Sequence, residues 1–95
     1  MDNGYLPIGS VVLLKDATKR VMITGFYVKT DEKNDLVYDY VGCLFPEGMV
    51  SSTQNCVFNH SQIAQVFHKG LEDDEEKAFK ENLYKLIAEK EGQQQ

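Results

Sequence analysis

The residues of this chain best suited to metal binding or nucleophilic chemistry are two cysteines and two histidines, Cys43, Cys56, His60 and His68. Structural zinc sites use close ligand pairs, whereas no two of these four residues are nearer than four positions in the chain. A cysteine nucleophile needs a lowered pKa and an oriented histidine beside it. No glycine-rich oxyanion turn or third group accompanies either cysteine. We therefore predict no metal, no cofactor and no catalytic residues, and expect that the protein is not an enzyme.

The same two cysteines bear on the cellular compartment. One disulfide between Cys43 and Cys56 is arithmetically possible, but reduced, half-buried thiols are favoured in a cytosolic chain. The first residues have no basic start and no long apolar run, so no signal peptide is predicted. No stretch approaches the roughly 20 apolar residues of a membrane span. We expect a cytoplasmic protein that leaves the cell only if a cargo carries it.

Aromatic side chains are concentrated in two predicted strands. They are Phe26, Tyr27, Tyr38, Tyr40 and Phe45. Aromatic residues on a sheet can stack on nucleic-acid bases, but such sites also need a basic groove. The net charge of −5 argues against that partner, so core packing and protein contacts are favoured instead. Asp39, between two of these tyrosines, must face solvent or be paired, and an exposed strand face is the favoured interpretation.

The last quarter of the chain carries most of the negative charge. Residues 1–70 have six basic and seven acidic residues, and residues 71–95 have four and eight. The acidic run at 72–76 lacks the spaced oxygens and central glycine of a calcium loop. Asp73 followed by Glu76 instead has the spacing of a helix-capping box, and acidic residues stabilise a first helical turn. A helix is therefore predicted over about residues 74–90.

One apolar stripe follows this predicted helix. It comprises Phe79, Leu83, Leu86 and Ile87, at positions i, i+4, i+7 and i+8. The stripe either packs on the sheet and completes the core, which is favoured, or packs on a helix of a partner protein. Both alternatives remain open from the sequence.

Five short strands are predicted before the helix. They span about residues 10–15, 20–29, 36–45, 54–58 and 64–68, with a bulge at Gly25 and one helical turn at 61–63. The predicted fold is α+β: a small five-stranded antiparallel curved sheet or an SH3-like barrel, followed by a C-terminal amphipathic helix. We predict a single domain, with a β-rich core over 6–70, a helix over 71–91 and a frayed tail over 92–95.

Several segments together resemble one protein family. They include Leu-Pro-Ile-Gly-Ser at residues 6–10, Tyr-Asp-Tyr-Val-Gly-Cys at 38–43, Pro-Glu-Gly at 46–48 and Phe-Asn-His at 58–60. This set resembles the small bacterial family called domain of unknown function 4176, over about residues 6–71. The resemblance implies a Gram-positive source and an accessory role beside type VII secretion systems and the LXG-type toxins that they export.

The resemblance implies a protein partner and no catalytic activity. The expected partner is the helical N-terminal region of an LXG-type toxin, or a small helical co-factor. The residues expected to bind it are Tyr38, Asp39 and Tyr40 on the third strand, with Phe79, Leu83, Leu86 and Ile87 on the helix. One alternative is an immunity protein that binds a toxin domain, for which acidic charge would be suitable. Another is a small barrel nuclease that would use Arg20, Asp39 and His60, which rests on fold analogy alone.

Overall fold

The computed structural model describes residues 4–31, 36–50 and 56–93. Its elements in chain order are β1 (Val11–Leu14), β2 (Val21–Asp31), β3 (Leu36–Leu44), β4 (Cys56–Phe58), a 3₁₀ turn (His60–Gln62), β5 (Ile63–His68) and α1 (Asp74–Gln93). The α+β class is confirmed. The strands and the helix fall within a few residues of their predicted bounds, although residues 54 and 55 of the predicted fourth strand lie outside the described ranges.

The five strands form one antiparallel sheet with the order β4-β3-β2-β1-β5. The two end strands do not pair with each other in the described part of the chain, so the sheet is open. The predicted curved antiparallel sheet is confirmed, and it is not closed on itself. The register of β2 against β3 shifts between Ile23 and Gly25, which confirms the predicted bulge.

One face of the sheet carries the core. Buried residues from different strands meet there, namely Val12, Val21, Ile23, Tyr40 and Phe58, together with Tyr5 from the N-terminal segment. Direct register places Phe26 opposite Tyr40 and Tyr40 opposite Phe58, so these three rings share that face. Leu83 and Ile87 of α1 pack against the same cluster. The helix therefore completes the core, as the favoured alternative predicted.

The start of α1 has the predicted cap. The Glu76 backbone N–H donates to Asp73 Oδ1 at 2.9 Å, which satisfies one of the free donors of the first turn. The Glu76 side chain pairs with Lys80 rather than returning to Asp73, so only half of a capping box forms. Within the described ranges, no helix combines the length and apolar character that a membrane span requires.

The two cysteines are free, as predicted. Cys56 pairs with Gly42 on the neighbouring strand, and Gly42 immediately precedes Cys43 in the chain. Because successive side chains point to opposite faces of a strand, Cys43 and Cys56 face opposite sides of the sheet. A disulfide between them would require the backbone to move.

Candidate protein-binding surfaces

Two of the predicted aromatic residues, Phe26 and Tyr40, lie in the core, together with Tyr5 and Phe58. The Tyr5 ring stacks on Phe26 with centroids 5.6 Å apart and an interplanar angle of 8°. Tyr40 packs against Tyr5 at 5.4 Å and against Phe58 at 5.3 Å. Tyr40 is 0% exposed, so its ring is not available for a base or for a partner. The prediction that Tyr40 binds a partner directly is therefore at odds with its burial.

Hydrogen bonds explain how a tyrosine hydroxyl is accommodated in this core. The Tyr40 hydroxyl accepts a bond from the Leu6 backbone N–H at 3.0 Å and lies 2.6 Å from His60 Nδ1. The hydroxyl donates its one proton to Nδ1 when that nitrogen carries no hydrogen, and accepts from Nδ1–H in the other tautomer. This network fixes the N-terminal segment and the 3₁₀ turn against β3.

Asp39 is a structural acceptor in the same network. Its Oδ1 accepts a hydrogen bond from the Tyr5 hydroxyl at 3.2 Å, and its Oδ2 accepts from the His60 backbone N–H at 2.8 Å. Its own N–H donates to Asn59 Oδ1 at 3.1 Å. The prediction of an exposed strand face is wrong for Asp39, because the carboxylate pairs with groups 21 and 34 positions away in the chain.

The pKa shifts agree with this structural role. Burial is the main cause that raises the pKa of Tyr40 to about 12, and the nearby Asp39 carboxylate adds to it. Burial likewise raises the pKa of Tyr5, with Asp39 as the next cause. Both hydroxyls therefore keep their protons near neutral pH and act as hydrogen-bond donors.

The three residues considered for a nuclease do not share a site. Arg20 alternates with the buried Val21, so it lies on the sheet face opposite the helix, over the rings of Phe45 and Phe67. Asp39 uses both oxygens in the core network, and its bond to His60 goes to the backbone rather than to the imidazole. In the portion of the chain that the structure describes, no group of three or more His, Cys, Asp or Glu side chains could hold a metal ion.

A buried lysine, which the sequence analysis did not identify, links the helix to the N-terminal segment. Lys80 is 7% exposed, and its Nζ lies 2.7 Å from Glu76 Oε2. The same ammonium donates a hydrogen bond to the Tyr5 carbonyl oxygen and lies 5.8 Å from the centroid of the Phe26 ring. Glu76 and Lys80 continue the line of Leu83 and Ile87 at spacings of four, three and four, and this pattern is visible in the sequence.

The predicted helix residues divide between core and solvent. Leu83 and Ile87 are half-buried against the core, whereas Phe79 is 53% exposed and Leu86 is 55% exposed. Tyr38 is half-buried and lies on the helix side of the sheet, two residues from Tyr40. The buried part of Phe79 packs towards β2, where its ring centroid lies 6.2 Å from that of Phe26. We call Phe79 and Leu86 the helix edge.

These features define a small α+β domain with an aromatic core and apolar side chains exposed along one side of its helix. A family model described as "Domain of unknown function (DUF4176)" matches residues 5–79, and the chain belongs to this family. The match covers the whole sheet and the first turns of α1. No curated protein and no solved structure matches the chain significantly.

Proposed function

We propose that this domain is a non-catalytic protein-binding accessory factor of a type VII secretion system. In this proposal it acts in the cytoplasm and binds a helical segment in the N-terminal region of an LXG-type toxin before export. Membership in the DUF4176 family supports the proposal through the role that the resemblance implies. The helix edge is the structural observation that carries it.

The helix edge has the spacing of a helix–helix contact. Phe79 and Leu86 are seven residues apart, so they occupy equivalent positions of a heptad on one side of α1. About half of the surface of each of these two residues remains exposed to solvent in the isolated domain. A partner helix that covered both would gain about 25 cal/mol for each Å² of apolar surface removed from water.

The charges beside the helix edge indicate what kind of helix would fit. Glu75 and Glu89 are exposed and follow the same side of α1, at spacings of four and three residues from Phe79 and Leu86. A partner with apolar residues in register and lysine or arginine on the flanks would pair with these carboxylates. Such flanking pairs contribute mainly to the association rate and to partner choice.

The test is co-expression of the domain with a tagged LXG-type toxin divided into N-terminal and C-terminal halves. We expect retention on the N-terminal half, and at least a tenfold weaker dissociation constant for the variant Phe79→Ser/Leu86→Ser, because buried anchors dominate interface energies. The matched control is Glu81→Ser/Lys85→Ser, which also changes two exposed residues of α1.

Each outcome has a definite meaning. Retention on the C-terminal half would replace the escort role by an immunity role. Retention on neither half would contradict the proposal. Equal loss of binding in the helix-edge variant and in the control would show that the partner contacts α1 elsewhere.

A further inference from the structure

A second exposed cluster lies on the sheet face opposite α1. The Arg20 guanidinium carbon lies 5.1 Å from the centroid of the Phe45 ring and 5.7 Å from that of Phe67. Phe67 is itself 50% exposed. With Met22 beside them, these residues border an open cavity of about 500 Å³. We call Arg20, Met22, Phe45 and Phe67 the arginine–aromatic surface; Gly9, Val11 and His68 also line its cavity.

The local backbone explains why these side chains meet. Arg20 and Met22 flank Val21, whose side chain enters the core, so both project from the other face. The Phe45 backbone N–H donates to the Arg20 carbonyl oxygen at 3.0 Å, which fixes the turn after β3 beside the start of β2. Phe67 is the extra residue of a bulge in β5, because its neighbours pair with β1 and it has no partner there. Bulges of this kind re-aim a side chain.

The Arg20 guanidinium of this surface makes no ion pair in the described ranges, and its charge is only the last of the causes that lower the pKa of Glu47. The nearby Glu47 carboxylate pairs with Lys19 at 2.7 Å. Over the described residues, no carboxylate lies within ion-pair distance of Arg20. A guanidinium that packs over aromatic rings keeps a planar fork of N–H donors, which matches the two oxygens of a carboxylate.

We infer that the arginine–aromatic surface binds a protein segment that presents a carboxylate next to a large apolar side chain. The carboxylate pairs with Arg20, and the apolar side chain enters the cavity against Met22 and Phe67. Charge complementarity selects this occupant, since an apolar segment without a carboxylate would leave the one exposed guanidinium of the site unpaired. A polyanion such as nucleic acid is disfavoured, because the chain as a whole carries −5. The inference is independent of the helix edge, which lies on the other side of the sheet.

The test is an NMR titration of ¹⁵N-labelled full-length protein with the capped tripeptide acetyl-Leu-Glu-Phe-amide. We expect shift changes at Arg20, Met22, Phe45 and Phe67, and a dissociation constant about fivefold weaker for the matched peptide acetyl-Leu-Gln-Phe-amide. Fivefold is the size expected when one exposed ion pair of about 1 kcal/mol is removed. The difference between the peptides should shrink from 50 mM to 500 mM salt.

Protein variants provide the second comparison. Arg20→Gln should bind the Glu and Gln peptides equally, whereas the control Lys77→Gln, which removes one positive charge from α1, should still prefer the Glu peptide. Equal binding of the two peptides by the unchanged protein would overturn the inference without any variant. Shift changes at the same residues upon concentrating the protein alone would also overturn it, because they would identify a second copy of the chain as the occupant.

Discussion

Replacing Lys80 by methionine should destabilise the domain more than any change of an exposed lysine. The substitution keeps most of the apolar stem but removes the ammonium that lies 2.7 Å from Glu76 Oε2. The Glu76 carboxylate then stays largely buried without its counter-charge, and the Tyr5 carbonyl oxygen loses its donor. Breaking a buried pair from one side costs about 3–5 kcal/mol. A domain of this length has roughly 5–14 kcal/mol of stability in total, so this loss is a large share.

Removing both charges should restore most of that stability. In Lys80→Met/Glu76→Leu no unpaired carboxylate remains, and apolar replacements of buried ion pairs are close to neutral or stabilising. We expect the double variant to lie within about 1 kcal/mol of the unchanged protein. The coupling between the two sites should then be several kcal/mol, as residues in direct contact show.

Urea unfolding followed by circular dichroism measures these differences. The midpoints should shift while the slope stays constant, which shows that the folded and unfolded states keep their compactness. Lys77→Met is the control, because this lysine is exposed and such changes stay within about 0.5 kcal/mol. If the free energy of unfolding of Lys80→Met lies within about 0.5 kcal/mol of that of the unchanged protein, Lys80 does not neutralise a buried Glu76 carboxylate in the folded state.

Three further outcomes follow from the core. Tyr40→Phe should lose about 1–3 kcal/mol in urea unfolding, because His60 Nδ1 and a backbone N–H lose their partner. Burial raises the pKa of Tyr40 to about 12, so the stability that the protonated hydroxyl contributes is complete below pH ~10 and is lost as the pH rises through ~12. The urea midpoint of unfolding should therefore be lower at pH 11.5 than at pH 9. The decrease should be smaller in Tyr40→Phe, which has no hydroxyl at this position to ionise. Gly42→Ala should lower the free energy of unfolding by about 1–3 kcal/mol, because a Cβ there would lie 2.5 Å from the Met22 carbonyl oxygen. Thermal unfolding measures this loss. An unchanged melting temperature would show that β2 and β3 can move apart at this position without loss of stability.

The strands and the helix were predictable because each has a local signal. Short β-branched runs between turn residues marked the strands, and Gly25 marked the bulge at which the register shifts. The capping aspartate and the apolar spacing marked α1. Closure of the sheet was not predictable in the same way, because it depends on whether two end strands meet, and no short segment determines that distance.

The residues that unite the core were harder to predict. Tyr5 lies in a polar N-terminal stretch, yet its partners Asp39 and Tyr84 are 34 and 79 positions away. Lys80 is of a type that is almost never fully buried unless paired, so its residue type alone predicts an exposed position. Only its alignment with Glu76, Leu83 and Ile87 along one side of α1 indicated otherwise.

The orientation of α1 about its own axis connects the core to the proposed function. The side of α1 that faces the core includes two charged residues, Glu76 and Lys80, while Phe79 and Leu86 remain more than half exposed. At 3.6 residues per turn, the charged pair and the apolar pair are centred roughly 90° apart around α1, so a rotation of that size would exchange these roles and bury the apolar pair. The bond from Lys80 to the Tyr5 carbonyl opposes that rotation, because it joins α1 to the N-terminal segment, and the rotation would also turn Ile87 away from the core. The same contacts that hold the helix on the sheet thus keep the helix edge exposed to a partner.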